Sequence, residues 1–342
     1  MAQDGKLRLG LVGAGGIAQS YAQAFEQCAG AKLVAVADTR PEAAKAMGEA
    51  FACPSFEGHE AMAKAAKLDG VIVCTPPISH PEICIYFLER KVPVLCEKPL
   101  SIDSASARRM IETAKKAGVK FTMASKFRYA EDVVKAKGIV MSGILGEIVL
   151  FENAFTSRVD MSNRWNSKAE VSGGGVLIDN GTHSVDIMRY FLGPVAEVQV
   201  VEGKRNQGLD VEETVRIFVR AVSGVLGNID LSWSINKELE SYINVYGTQG
   251  TVSVGWRESK YRQSSSRDWV VFGKGYNKVQ AFTAQINNFA GAIRGEEALL
   301  ISAEEALASV EVIEAAYADL RRSHWVRVGE KPADGAAAGP AA

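Results

Sequence analysis

Apolar residues recur in two different rhythms along the 342-residue chain. In the first third, short continuous apolar runs alternate with stretches of helical period. Leu7 to Gly13, Lys32 to Ala37, Gly70 to Cys74, Val92 to Leu95 and Lys120 to Ala124 read as strands buried on both faces. The intervening segments read as helices: Ala18 to Gln27, Glu42 to Ala52, Glu60 to Lys67, Pro81 to Arg90, and one that starts at Asp103 or Ser104 and stops at Gly118. Ser55-Phe56 adds a weak strand. Buried strands joined by helices predict a doubly wound parallel α/β sheet over residues 1–126.

Beyond a linking helix, about Glu131 to Met141, the rhythm changes to strand after strand. The runs are Glu147 to Phe155, Val195 to Glu202, Glu213 to Ala221, Gly227 to Ile235, Ser241 to Tyr246, Thr251 to Val254 and Trp269 to Phe272. Val215-Arg216-Ile217-Phe218-Val219-Arg220-Ala221 alternates strictly, the pattern of a sheet with one covered and one open face. Two helices follow, Val279 to Arg294 and Ala303 to Arg322. Residues 127–330 are therefore expected to form an α+β domain with a large, open, mostly antiparallel sheet. An open sheet of this size is commonly covered by a second copy, so a homodimer or homotetramer is expected. The Ala/Gly/Pro-rich tail, 331–342, is expected to be disordered.

Composition narrows the functional classes. Lys plus Arg number 39 against 40 Asp plus Glu, so there is no basic field for non-specific nucleic-acid binding. Five scattered cysteines without CxxC spacing argue for reduced thiols, against a disulfide scaffold or a zinc site. No apolar run has the length to span a bilayer, and Met1 to Lys6 leads into the first strand without an apolar signal segment. The expectation is a cytoplasmic protein with no membrane contact.

The chemistry gathers at the carboxyl ends of the predicted strands, where open parallel sheets bind ligands. Gly13-Ala14-Gly15-Gly16-Ile17-Ala18 is a GxGxxA turn between strand and helix. Gly13 makes the turn, Gly15 admits a pyrophosphate and Ala18 lets helix and strand pack closely, the signature of a Rossmann dinucleotide site. Asp38 ends the next strand, where a carboxylate takes the adenine-ribose hydroxyls and places NAD ahead of NADP. Thr39 and Arg40 follow it with a hydroxyl and a cation that suit NADP, the alternative. Thr75-Pro76-Pro77-Ile78-Ser79-His80 leaves two readings for His80: beside the cofactor, or at the start of a helix. Cys96-Glu97-Lys98-Pro99 places a lysine at a strand end, before a proline whose preceding bond goes cis at little cost. Lys126-Phe127-Arg128-Tyr129 ends the last strand.

A second group lies at Gly173-Gly174-Gly175 and the helical stretch after it. Asp179 and His183 are four apart and share a face with Asp186. A carboxylate one turn from an imidazole holds its tautomer and raises its pKa for acid/base work; the same pair suits a surface hydrogen bond or two metal ligands. With four histidines in the chain and no supporting cluster, no metal is expected.

Together, Gly13 to Ala18, Thr75-Pro76-Pro77 with His80, Glu97-Lys98-Pro99 and Gly173 to Gly175 leading to Asp179 and His183 resemble the glucose-fructose oxidoreductase, inositol dehydrogenase and rhizopine-catabolism (MocA) family, over roughly Lys6 to Val328. The resemblance implies nicotinamide bound between a Rossmann domain and an open-sheet domain, with Lys98, Asp179 and His183 as the catalytic group. Oxidising a secondary alcohol needs a base and a cation at one oxygen, so His183 is expected to carry the proton, Lys98 to polarise the substrate oxygen and Asp179 to orient both; lysine as the base stays open. Expected cofactor positions are Gly13, Gly15, Gly16, Ile17, Asp38, Thr39, Arg40, Thr75, Pro76, His80, Glu97 and Lys98.

Expected substrate positions are Lys98, Asp179 and His183 with Arg128, Arg164, Trp165 and Asn166, because a polyol wants fork-like donors, amides and a flat apolar face. Two arginines also suit a substrate carboxylate or phosphate. The implied activity is NAD(P)-dependent oxidation of a secondary hydroxyl of a sugar, cyclitol or sugar derivative. The alternatives are a glycosidase that uses NAD for transient oxidation and a non-catalytic dinucleotide sensor, which has no need of the proton-transfer group.

Overall fold

A computed structural model describes residues 5–322; the tail expected at 331–342 lies outside the described residues. The first part alternates β1 (Leu7–Val12), α1 (Gly16–Phe25), β2 (Ala31–Asp38), α2 (Pro41–Ala50), β3 (Ser55–Glu57), α3 (His59–Ala65), β4 (Gly70–Val73), α4 (His80–Glu89), β5 (Val94–Glu97), α5 (Ser104–Ala117) and β6 (Phe121–Ala124). All pairings are parallel, in the order β3-β2-β1-β4-β5-β6. The weak Ser55-Phe56 signal is real: β3 makes a sixth, edge strand against β2. Leu9, Leu11, Ile72 and Leu95 are fully buried, as expected of strands covered on both faces. Local signals end the helices: the Asp103 carboxylate accepts from Ser106 N at 2.7 Å, and Gly118 takes the left-handed conformation (φ 70°) at the other end of α5.

After α6 (Glu131–Met141) the chain builds a second sheet from β7 (Ile148–Thr156), then crosses it with the short α7 (Ala169–Ser172) and the long α8 (Val176–Leu192). It continues through β8 (Val195–Glu202), β9 (Thr214–Ala221), β10 (Leu226–Ser232), β11 (Ser241–Gly247), β12 (Gly250–Gly255), β13 (Ser259–Gln263) and β14 (Val270–Gly273). The eight strands run in the order β14-β13-β12-β11-β7-β10-β9-β8, and only β7 and β10 pair in parallel. Strand β13, Ser-Lys-Tyr-Arg-Gln, has no place among the expected strands: with one apolar residue it carries no alternation, and its pairing with β12 makes it a strand.

Inward Val215, Ile217 and Val219 pack with α8 residues Leu177, Val185 and Met188, while Arg216, Phe218 and Arg220 face outward. The last helices are α9 (Lys278–Arg294) and α10 (Ala303–Leu320). Although α9 follows the second sheet in sequence, its Phe282, Ile286 and Phe289 sit in the core of the first, against Leu9, Leu11 and Tyr21. The two sheets meet near residue 126, and α9 crosses back from the second part of the chain to pack on the Rossmann core beside α1.

Candidate active site

The carboxyl ends of β1, β2, β4 and β5 open into a cleft of about 2200 Å³ whose other wall is α8 and the loop after β7. On its dinucleotide side, Gly13 has φ +95°, and a Cβ there would stand 2.8 Å from the carbonyl carbon and oxygen of Cys74. No other residue fits that turn without moving β4. Gly15 and Gly16 border open space and, with Ile17, line the cleft where α1 presents its free N–H groups. Asp38 accepts from Ala14 N at 2.7 Å, from Arg40 N at 2.8 Å and from the Arg40 guanidinium at 3.1 and 3.2 Å. Burial alone would raise its pKa; the hydrogen bonds from Arg40 and Ala14 outweigh that and lower it, so a carboxylate is held at the ribose position. Thr39 and Arg40 line the same end. Cradle, helix terminus and carboxylate thus fit a dinucleotide.

Thr75 and Pro76 line the cleft next to the turn, but His80 does not. It is fully buried, with its two ring nitrogens 2.9 Å from Pro99 O and 2.8 Å from Thr75 O. It ties the loop after β4 to the one after β5, so it positions the cofactor-side loops without touching the cleft. Burial lowers its pKa despite those carbonyls.

The Lys98–Pro99 bond is cis. Lys98 crosses the cleft to α8, where its Nζ donates to Asp179 Oδ1 at 2.6 Å and to the Asp179 carbonyl at 3.0 Å. His183 follows one turn later on the same helix, its ring edge-on to Phe127 at 5.1 Å between centroids. The expected carboxylate–imidazole pair does not form. Asp179 is committed to Lys98, and His183 Nδ1 is buried without a hydrogen-bond partner among the described residues. Its pKa is accordingly lowered well below 6.5, by burial first and then by Lys98 and Lys126, rather than raised. The imidazole is neutral at physiological pH.

Helix α8 is held at its start by an acid that the sequence did not single out. Glu212 Oε1 accepts from Gly175 N at 2.9 Å, from Leu177 N at 3.0 Å and from the Tyr317 hydroxyl at 2.7 Å. A carboxylate on the free N–H groups of a helix is favourable. The three glycines before it bring the chain past Ile102, and Gly173 takes φ +86°.

Below Lys98, Glu97 Oε1 accepts from the Tyr21 hydroxyl at 2.7 Å, and Gln285 donates to that same hydroxyl at 2.7 Å. Glu97 lines the cleft, and burial raises its pKa. Beside it stands Lys126, whose ammonium has no hydrogen-bond or ion-pair partner among the described residues and lies over the rings of Phe127 and Phe282 at 5.4 and 5.6 Å. Burial, with Lys98 and Lys278 nearby, lowers its pKa to about 8, against the pull of Glu97 and Asp179. Lys126 was legible only as a strand-end residue. Nothing in its local sequence distinguishes it from Arg128, two positions on.

Arg128 is the one expected substrate residue that the structure takes away from the cleft. It is buried, with its guanidinium 2.8 Å from Asp186 and 3.1 Å from Glu305. Asp186 also accepts from Ser125 Oγ at 2.5 Å. In the 3₁₀ turn Lys126–Tyr129 successive side chains point about 120° apart, so Lys126 faces the cleft while Arg128 faces α8 and α10. Arg164, Trp165 and Asn166 do line the cleft, along with Arg158 from the same loop. No cluster of metal ligands exists among the described residues, nor any helix long and apolar enough to cross a membrane.

Comparison with known proteins shows the family and the fold. Residues 7–125 match the family model described as "Oxidoreductase family, NAD-binding Rossmann fold", and residues 133–253 match the GFO/IDH/MocA C-terminal domain. The chain is 26% identical to the inositol 2-dehydrogenase of Rhizobium meliloti (strain 1021), over 94% of this chain and 99% of that protein. It is 35% identical to the D-glucoside 3-dehydrogenase of Escherichia coli K12 over 55% of this chain and 54% of that one. Among solved structures, an oxidoreductase of Agrobacterium radiobacter in complex with NAD+, L-tartaric acid and magnesium superposes with a TM-score of 0.85 at 21% identity, covering 92% of this chain and 96% of that one.

Proposed function

Since the chain belongs to the glucose-fructose oxidoreductase, inositol dehydrogenase and MocA family of NAD-binding oxidoreductases, we propose that it oxidises or reduces a secondary hydroxyl position of a sugar, cyclitol or sugar derivative, with NAD ahead of NADP. The observation that carries this reading is the convergence of the Lys98–Asp179 pair and a neutral His183 on the cleft that the Gly13 turn and Asp38 enter. When bound, the nicotinamide supplies the hydride acceptor. The chain's own work is on the hydroxyl proton. Lys98, charged and held by Asp179, hydrogen-bonds the substrate oxygen and stabilises the negative charge that grows there. His183, uncharged because it is buried next to two lysines, has a free lone pair for the proton and returns it in the reverse direction. Asp179 orients Lys98 alone. Arg158, Arg164, Trp165 and Asn166 supply donors and a flat face for the remaining hydroxyls.

Asp38 supports NAD, since a carboxylate repels a 2′-phosphate; the Arg40 guanidinium already on it softens the discrimination. A homo-oligomer through the outer sheet face fits the exposed Phe218, Leu226 and Val149 there, and light scattering tests it. The test of the function is reduction of NAD, with NADP in parallel, across neutral sugars, cyclitols, sugar acids and sugar phosphates. Sustained reduction with one chemical group supports the reading and names that group. NAD binding without reduction by any of them sinks it, and makes glycoside cleavage the next assay.

A further inference from the structure

Sugar rings lay their C–H faces on aromatic side chains while their hydroxyls meet guanidinium and amide donors. Away from Lys98 and His183, the cleft carries such a surface that the chemistry above leaves unused. Trp256, just past the end of β12, lines the cleft and is 40% exposed. Its other side is packed, with ring centroids 4.4 Å from Tyr242, 5.9 Å from Tyr276 and 6.0 Å from Phe155. Tyr242 and Phe155 are buried, so the indole is a rigid plane with one free side. Those partners belong to the covered side of the second sheet, which separates Trp256 from the outer face proposed to meet another copy.

Its distance from the reacting group is informative. Phe127 lies edge-on to His183 at 5.1 Å and to Trp256 at 6.5 Å, so a single aromatic ring separates imidazole from indole. Arg257, exposed in the same wall, has no ion-pair partner among the described residues and offers a five-donor fork beside the indole. The cleft also exceeds the roughly 300–1,000 Å³ of an ordinary small-ligand pocket.

We propose that Trp256, with Arg257, forms an outer subsite for a second ring, so that the substrate is a glycoside: one ring reacts at Lys98 and His183, and its partner sugar or aglycone stacks on the indole. The inference rests on the sugar-dehydrogenase reading and names its substrate class. A free monosaccharide fills only the inner position.

The experiment compares kcat/KM for monosaccharides with that for disaccharides and aryl glycosides of the same reacting ring, in the wild type, W256A and W256F. The wild type is expected to prefer the glycoside. W256A should lower the glycoside-to-monosaccharide ratio roughly tenfold, and W256F, which keeps a ring, should retain part of it. An unchanged ratio in W256A overturns the subsite, and so does a change in the mass of the particle by light scattering, which would make Trp256 an interface residue. Glycoside binding is measured separately, by quenching of tryptophan fluorescence in the NAD-loaded protein. Quenching that W256F weakens, without turnover of any sugar, keeps the subsite and removes the dehydrogenase reading. Absence of both quenching and turnover removes both.

Discussion

Two acid–base pairs on one helix invite comparison. Asp179 and Asp186 lie seven residues apart on the same face of α8, and each meets a cation delivered by the end of a Rossmann strand, Lys98 after β5 and Arg128 after β6. The first pair keeps 15% and 20% of its side-chain surface and borders the cleft; the second keeps 2% and 0% and is sealed by Ser125, Glu305 and α10. An ammonium that water and substrate can reach is available for chemistry. A guanidinium closed off by two acids holds two parts of the chain together. Exposure, rather than residue type or spacing, separates the pair proposed to be catalytic from the structural one.

The sharpest way to break that distinction is to remove each cation. Lys98→Ala should lower turnover roughly 100- to 1,000-fold while leaving the denaturation midpoint and NAD binding close to wild type, read by steady-state kinetics and fluorescence titration. Arg128→Met should do the opposite. It leaves Asp186 buried without its cation and costs about 3–5 kcal/mol of stability, read from urea denaturation, with turnover retained in the folded fraction. A Lys98→Ala protein that turns over normally, or an Arg128→Met protein as stable as wild type, would erase the difference.

Apolar replacement of both partners sharpens the point. Arg128→Met combined with Asp186→Leu should regain much of the stability that the single change loses, because a buried ion pair costs nearly as much to desolvate as it returns. Lys98→Met combined with Asp179→Leu should regain no activity.

The histidines give a smaller effect that depends on pH. His80 and His183 are both buried with lowered pKa values, whereas an unfolded chain takes up a proton at about 6.5. Below that pH the unfolded state binds protons that the native state refuses, so stability falls with pH until the lowered native values are reached; above it their contribution is complete. His183→Phe should flatten this loss between about pH 6.5 and 5, monitored by thermal denaturation, and leave the part due to His80.

Lys126→Met should show the mildest change. Without that cation the His183 pKa moves up, so the acid limb of the oxidation profile shifts to higher pH, and the limb near pH 8 that belongs to Lys126 itself disappears. Unchanged pH profiles would place Lys126 outside the working site.

Much of the fold was legible because its signals are local. Continuous apolar runs between helices, glycines at Gly13 and Gly118, and the Asp103 cap act within a few residues of themselves, and the strands and helices formed close to where they were expected. Strand β13 escaped because strand pairing needs no apolar pattern when the neighbours on either side, β12 and β14, supply the hydrogen bonds. In the site, Gly13, Asp38, Thr75, Lys98, Asp179 and His183 were legible by their place at strand ends and by helical spacing, and they do converge on one cleft. The roles within it were less so. Asp179 has two neighbours within reach of one carboxylate, and only the path of Lys98 across the cleft shows which one it takes.

What the sequence alone determined, then, is the set of groups at the carboxyl end of the first sheet and the helix that faces them. Periodicity and turn chemistry are written in neighbouring residues, and family motifs preserve their order. Only the tertiary structure decided which of these groups meets the cleft: Lys126 and Lys98 outward, Arg128 and His80 sealed, His183 uncharged. Burial is set by segments far apart in the chain, here α8, α9 and α10 closing on the same strand ends, and a charge depends on how much water those segments leave beside it.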